Sequence, residues 1–138
     1  MPGFNEFFKD EYQFSLKDIS YTKVETEEEQ ECELEITDTI SADINGDSLI
    51  VTFVRNVCFK PEAIFDLKVA FDIILFINEE KLEEAKRIDW SKTLIENPNM
   101  YLGNVVSRIS QLIAVITASY GQQPLITPPK PITEEAII

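Results

Sequence analysis

The stretch that decides the fold is residues 31–59, ECELEITDTISADINGDSLIVTFVRNVCF. Its first half alternates apolar side chains with charged and hydroxyl ones, and a period of two is typical of a strand with one buried face. The pair Asn45-Gly46 favours a two-residue type I′ turn, because both central residues of that turn need positive φ. If Ile44 and Asp47 flank the turn, the apolar residues of both halves share one face. The stretch therefore predicts an antiparallel hairpin.

One charged residue interrupts the apolar face of each predicted strand: Asp38 in the first and Arg55 in the second. In the predicted register they lie diagonally opposite each other, so we expect a structural ion pair. A catalytic role is the alternative, but no histidine or second carboxylate shares that face. The same register points Cys32 and Cys58 to opposite faces, so we expect no disulfide between them.

Two further strands complete a predicted sheet. Residues 12–24 change the parity of their apolar positions between Leu16 and Ile19, which indicates a strand with a β-bulge. Residues 64–77 are apolar at every second position. Residues 49–59 carry apolar side chains on both parities, as a central strand covered on both faces would. The pattern predicts four antiparallel strands.

Helical patterns fill the second half of the chain. Asn78 is a candidate N-cap for a short charged helix over residues 79–87, and turn-forming residues bracket a second short segment. Over residues 102–120 apolar side chains recur at threes and fours, and Gly121 is a natural helix stop. The predicted fold class is α+β, with a four-stranded antiparallel sheet followed by a long helix packed on it.

The face of this long helix that points away from the sheet is small and neutral. It consists of Asn104, Ser107, Gln111, Ala114, Thr117 and Ala118. Because the chain uses charge freely elsewhere, we expect this face to be an oligomer interface. A solvent-facing helix that happens to use serine and threonine is the alternative.

Composition narrows the function. The 138 residues carry 25 acidic and 12 basic side chains, a net charge of −13, which repels nucleic acid and anionic membrane surfaces. No histidine is present, and the four glycines form no phosphate-binding loop. No signal peptide or stretch of 18 apolar residues appears, and two cysteines suit a cytoplasmic location. We therefore expect a protein-binding chain without enzyme activity, metal or cofactor, and without membrane insertion.

Aromatic residues crowd the N-terminus at Phe4, Phe7, Phe8, Tyr12 and Phe14. Aromatics at this density form either a flap over the core or an exposed docking surface. We favour the flap. We expect a single domain over residues 1–138, with an N-terminal aromatic segment at 1–11 and a short C-terminal segment at 130–138.

The order of elements and two local stretches resemble the SecB family of protein-export chaperones. Residues 17–21, KDISY, are similar to the family's first-strand KDISF. The helix around Arg108, then Gly121 and residues 124–129, PLITPP, resemble the family's helix, glycine and PxLxLxP ending. The resemblance extends over about residues 12–130. The family's long crossover loop and final helix have no counterpart in this sequence.

The resemblance implies a homo-oligomer, with a tetramer favoured and a dimer possible, that binds unfolded polypeptides in hydrophobic grooves. Candidate client contacts are Phe4, Phe7, Phe8 and Tyr101. Asp18 matches an acidic position that the family presents to the SecA motor, although the following acidic position is Thr22 here.

The first functional hypothesis is an ATP-independent holdase for non-native polypeptides, with a role in protein export implied by the resemblance. The alternative is an interaction module of the same fold that binds one specific partner, for example an antitoxin or a phage protein. A small enzyme is the third hypothesis, and it would need a ligand pocket beside Asp38 or Asp72.

Overall fold

The computed structural model describes residues 4–25, 31–61, 63–119, 123–129 and 131–132, without the side chains of residues 4, 5 and 98–104. Its elements in chain order are helix α1 (Phe4–Phe7), strands β1 (Phe8–Val24), β2 (Glu33–Asn45), β3 (Ser48–Lys60) and β4 (Ile64–Ile77), and helices α2 (Leu82–Ala85), α3 (Trp90–Glu96) and α4 (Pro98–Ser119). A 3-10 turn, Glu79–Lys81, precedes α2. The predicted α+β arrangement of four strands followed by a long helix is confirmed. The predicted helix stop at Gly121 lies outside the described residues.

The four strands form one antiparallel sheet in the order β1-β4-β3-β2. The two strands at its centre, β3 and β4, are the most apolar in sequence. The predicted β-bulge of β1 is confirmed, because the register with β4 shifts between Leu16 and Asp18 and makes Lys17 the extra residue.

The predicted hairpin joins β2 to β3, but its register was wrong by two residues. Ser48 pairs with Asn45, so Gly46 and Asp47 are the two central residues of the turn. Gly46 has φ +64°, and the one non-glycine residue of positive φ in the described chain is Ile64. A glycine of positive φ at the first central position is the pattern of a type II′ turn. A shift of two residues preserves every side chain's face, so the predicted apolar faces are correct.

The core lies between α4 and the sheet face that we call the inner face. Every second residue of β3 and β4 points into it, and these side chains are buried: Leu49, Val51, Phe53, Val57, Phe65, Leu67, Val69, Phe71, Ile73, Leu75 and Ile77. From α4 they meet Val105, Val106, Ile109, Ile113 and Ile116. On the outer face of β3, Ile50, Val54 and Cys58 remain half-buried, so the prediction of cover on both faces was wrong within this chain.

The N-terminal aromatic segment packs against α3. The rings of Phe7 and Phe8 lie 5.4 and 5.2 Å from that of Trp90, and the indole of Trp90 donates to the carbonyl of Ala85 at 2.9 Å. Lys81 donates to Glu6 at 3.1 Å, and this hydrogen bond is the largest cause that raises the pKa of Lys81. The segment is therefore a flap over one end of the core.

Helix α3 also covers one edge of the sheet. The Ser91 hydroxyl accepts from the amide of Ala42 at 3.0 Å and lies 3.3 Å from its carbonyl oxygen, to which it donates. Asp89 caps this helix by accepting from the amide of Lys92 at 3.2 Å. Asn78, the predicted cap, makes no side-chain cap hydrogen bond, and the charged segment after it forms only the 3-10 turn and the one-turn helix α2.

Candidate functional site

The most unusual feature of the inner face is a fully buried ion pair between the edge strand β2 and its neighbour β3. Asp38 and Arg55 lie directly opposite each other on β2 and β3, and neither side chain has any exposed surface. The Arg55 Nε and Nη2 atoms donate to the two carboxylate oxygens of Asp38, both at 2.7 Å. The structure thus contains the predicted ion pair, as a bidentate contact of the kind in which a guanidinium holds a carboxylate most firmly.

The pair is covered by the chain that follows α4, which we call the tail (residues 123–129 and 131–132). Arg55 Nη1 donates to the hydroxyl of Thr127 at 3.0 Å and to the carbonyl of Pro128 at 2.6 Å. The amide of Ile132 donates to Asp38 at 2.7 Å. Both members of the pair therefore also make hydrogen bonds to the tail.

Two hydroxyl side chains of α4 hold the same tail from the other side. Ser110 donates to the carbonyl of Thr127 at 2.6 Å. Thr117 donates to the carbonyl of Ile113 at 2.9 Å and accepts from the amide of Leu125 at 2.8 Å. Both hydroxyls are buried, so they belong to the core and not to the surface of the helix.

This placement corrects part of the predicted oligomer interface. Thr117 is buried against the tail, where its hydroxyl accepts from the amide of Leu125, so it is not exposed for contact with another subunit. Gln111 and Ala118 are exposed, Ser107 and Ala114 are half-buried, and the side chain of Asn104 is outside the described part. Val115, 61% exposed, joins the exposed residues. The rest of the interface stays a prediction.

The edge strand β1 carries the most exposed part of the inner face. Tyr12, Leu16 and Ile19 point to the same face as the core residues of β4, yet they are 40%, 51% and 39% exposed. We call these three side chains the apolar strip. Beside them the Phe14 ring stacks on that of Phe71 at 4.5 Å, and the guanidinium of Arg108 lies 5.7 Å from the Phe14 ring centre. The strip was not identified from the sequence, because alternation on an edge strand looks the same whether or not a helix covers it.

Of the four candidate client contacts, the two whose side chains the structure describes are buried. Phe7 and Phe8 are each 2% exposed, which corrects their assignment: the flap packing against Trp90 removes both from any surface of the chain. The side chains of Phe4 and Tyr101 lie outside the described residues. Asp18 is exposed and lies opposite Ala70 on the outer face, away from the strip.

An open pocket of about 290 Å³ lies at another end of the sheet. Its lining is Thr22, Val24, Cys58, Phe59, Lys60, Ala63, Phe65 and Asp66, and includes neither Asp38 nor Asp72. In the part of the chain that the structure describes, no cluster of three histidine, cysteine or carboxylate side chains could hold a metal ion. No helix in that part is long and apolar enough to cross a membrane.

Comparison with known proteins identifies the architecture. No protein-family model and no curated protein sequence matches this chain. Among solved structures, the chain resembles a Mycobacterium tuberculosis SecB-like chaperone, Rv1957, in complex with a ChAD peptide from the Rv1956 HigA1 antitoxin. The match has a TM-score of 0.58 and 9% identity, and covers 85% of this chain and 89% of the other. The fold is SecB-like. The resemblance noted from KDISY and PLITPP is thus confirmed for the SecB-like fold.

Proposed function

We propose that this chain is an ATP-independent holdase, a cytoplasmic homo-oligomer that covers apolar segments of non-native polypeptides. The observation that supports the proposal most directly is the apolar strip, which extends a buried apolar face to an exposed edge of a SecB-like sheet. Each client side chain fully covered there would contribute about 1.5–3 kcal/mol before ordering costs. Binding of this kind needs no cofactor and no catalytic residue.

Charge would add a preference among clients. The net charge of −13 favours approach of basic segments, and the attraction weakens as salt screens it. We also propose that the oligomer is a tetramer. In protein export, Asp18 would contact a SecA-like motor.

The test combines solution mass by light scattering with suppression of aggregation of a denatured test protein. Replacing Leu16 and Ile19 together by serine should weaken client affinity by roughly tenfold or more, since two apolar contacts are lost. Ile95→Ser is the matched control, because Ile95 is 47% exposed but lies on α3, at the opposite edge of the sheet from the strip. Suppression by the double variant equal to that of the unaltered protein would contradict the role of the strip. An unaltered protein that suppresses nothing would contradict the holdase.

The second candidate is a module dedicated to one protein partner. It is favoured by the Mycobacterium tuberculosis SecB-like chaperone, whose structure holds a peptide of one antitoxin. Affinity purification from the native cell separates the two candidates. A single stoichiometric partner would support the module, whereas a heterogeneous set of clients would support the holdase.

A further inference from the structure

The hydrogen bonds that hold the tail are made mainly to its backbone. Four main-chain groups make the contacts: the amide of Leu125 to Thr117, the carbonyl of Thr127 to Ser110, the carbonyl of Pro128 to Arg55 and the amide of Ile132 to Asp38. Among the described residues of the tail, only the Thr127 hydroxyl adds a side-chain hydrogen bond: it accepts from Arg55 and lies 3.3 Å from the hydroxyl of Ser110. The side chains of Leu125 and Ile132 pack against the apolar core. Contacts to backbone groups do not depend on which amino acids the tail contains.

We call the four side chains that make these contacts the cradle: Asp38, Arg55, Ser110 and Thr117. They offer two donors for carbonyl oxygens and two acceptors for amides, as an extended peptide requires. A folded protein has already paired almost all of its buried backbone groups, whereas a non-native segment presents them unpaired. The cradle therefore has the chemistry to select an unfolded chain over a folded one.

The tail itself lies in the cradle much as an extended peptide would. Leu125 is half-buried, Ile126 is 77% exposed and Thr127 is buried, the alternation of an extended chain. Four of the residues 123–132 are prolines, which have no amide hydrogen and cannot take part fully in a sheet ladder. The tail is thus attached to the core without being a strand of the sheet.

We propose that the cradle is a binding site for an extended segment of a client polypeptide, and that the tail occupies it as an intramolecular competitor when no client is bound. This inference rests on the proposed holdase function and assigns a site to it. Release of the tail alone would leave Arg55 and Asp38 without some of their partners, which is unfavourable for a buried pair. A client that supplies its own carbonyl and amide removes that penalty. Replacement of the tail by a client is therefore favoured over release of the tail into an empty cradle.

A reversible lock on the tail tests the inference. Ser110 and Thr127 are replaced by cysteine, because their hydroxyl oxygens lie 3.3 Å apart, in a chain whose Cys32 and Cys58 are replaced by alanine. The probe is fluorescently labelled ribonuclease A, reduced and carbamidomethylated so that it is a basic, non-native chain, with binding followed by fluorescence anisotropy. The oxidised variant should bind the probe roughly tenfold or more weakly than the same protein after reduction, since a locked tail cannot leave the cradle for the client. Mass spectrometry confirms the disulfide, and circular dichroism confirms that both forms are folded.

A second variant gives an effect of the opposite sign. Thr127→Val removes the hydroxyl contacts of the tail, so it should favour release and tighten probe binding by roughly threefold or more. Equal affinity of the oxidised and reduced forms would overturn the cradle as the client site while leaving the holdase function intact. No probe binding by the parent that lacks both cysteines would overturn the holdase function itself, and the inference with it.

Discussion

At the scale of single residues, the buried pair Asp38–Arg55 joins two strands of the sheet to the tail. Taking two charges out of water costs more than their attraction returns unless the remaining donors and acceptors are also satisfied. Here the tail satisfies them, and no buried side-chain nitrogen or oxygen among the described residues lacks a hydrogen-bond partner. The pair thus fixes where the tail lies more than it increases the total stability.

Asp38→Asn tests this arrangement, because it removes one charge with almost no change in volume. The free energy of unfolding, measured by urea denaturation at pH 7 and fixed protein concentration, should fall by about 3–5 kcal/mol, since Arg55 is left as a buried charge without its counter-ion. The double variant Asp38→Leu, Arg55→Met should lose much less. A single variant within about 1 kcal/mol of the unaltered protein would show that water reaches the pair.

At the scale of elements, the β2–β3 hairpin shows which residues determine the face of each side chain and which determine the register of the two strands. The apolar alternation assigns each residue to a face, whereas the turn sets which residues are opposite each other. Gly46 occupies the first central position with φ +64°, and a Cβ atom added there would meet nothing within 4 Å. Its contribution is therefore purely conformational.

Gly46→Ala should lower the free energy of unfolding by about 1–2 kcal/mol, because an L side chain at positive φ is strained even in open space. Asp47→Ala, at the neighbouring turn position, should change it by no more than about 0.5 kcal/mol. Thermal and urea unfolding of the two variants measure the difference. An equal effect of the two substitutions would mean that the turn accepts another geometry.

An element could be predicted from the sequence where its burial produces a periodic pattern of apolar residues. The strands and α4 were predictable because the inner face buries every second strand residue and every third or fourth helix residue. The cradle was only half predictable: Asp38 and Arg55 stand out as charges on an apolar face, but Ser110 and Thr117 look like ordinary surface residues of a neutral helix. Contacts to backbone groups of the tail leave no trace in its composition.

At the scale of the whole molecule, the exposed side of α4 remains the predicted subunit contact. Gln111, Val115, Ala118 and Ser119 are exposed there, and Arg108 is the one charged residue in the described part of the helix. A chain with 37 charged residues of 138 places almost none on this surface. Neutral, small side chains on a long helix allow close approach of a second helix.

Ala118→Glu should reduce the solution mass, because an unpaired carboxylate would be buried in the contact between subunits. The side chain is exposed in the single chain, so folding itself should be unaffected. Thr39→Glu, which adds the same charge at an exposed position of β2, should leave the mass unchanged. Light scattering at matched concentrations decides the question, and an Ala118→Glu variant of unaltered mass would place the subunit contact elsewhere.

The hydrogen bonds of Ser91 to Ala42 have a consequence for growth of the sheet beyond one chain. Ser91 occupies both outward-pointing backbone groups of Ala42, so β2 cannot accept another strand there without displacing α3. At the opposite edge, β1 is 17 residues long. If copies of this chain join through sheet edges, β1 is favoured over β2, because pairing along the whole of β2 would have to displace α3 from Ala42. A sheet that pairs only through β1 ends at two copies, so the contact of one serine on a seven-residue helix opposes growth into a fibre.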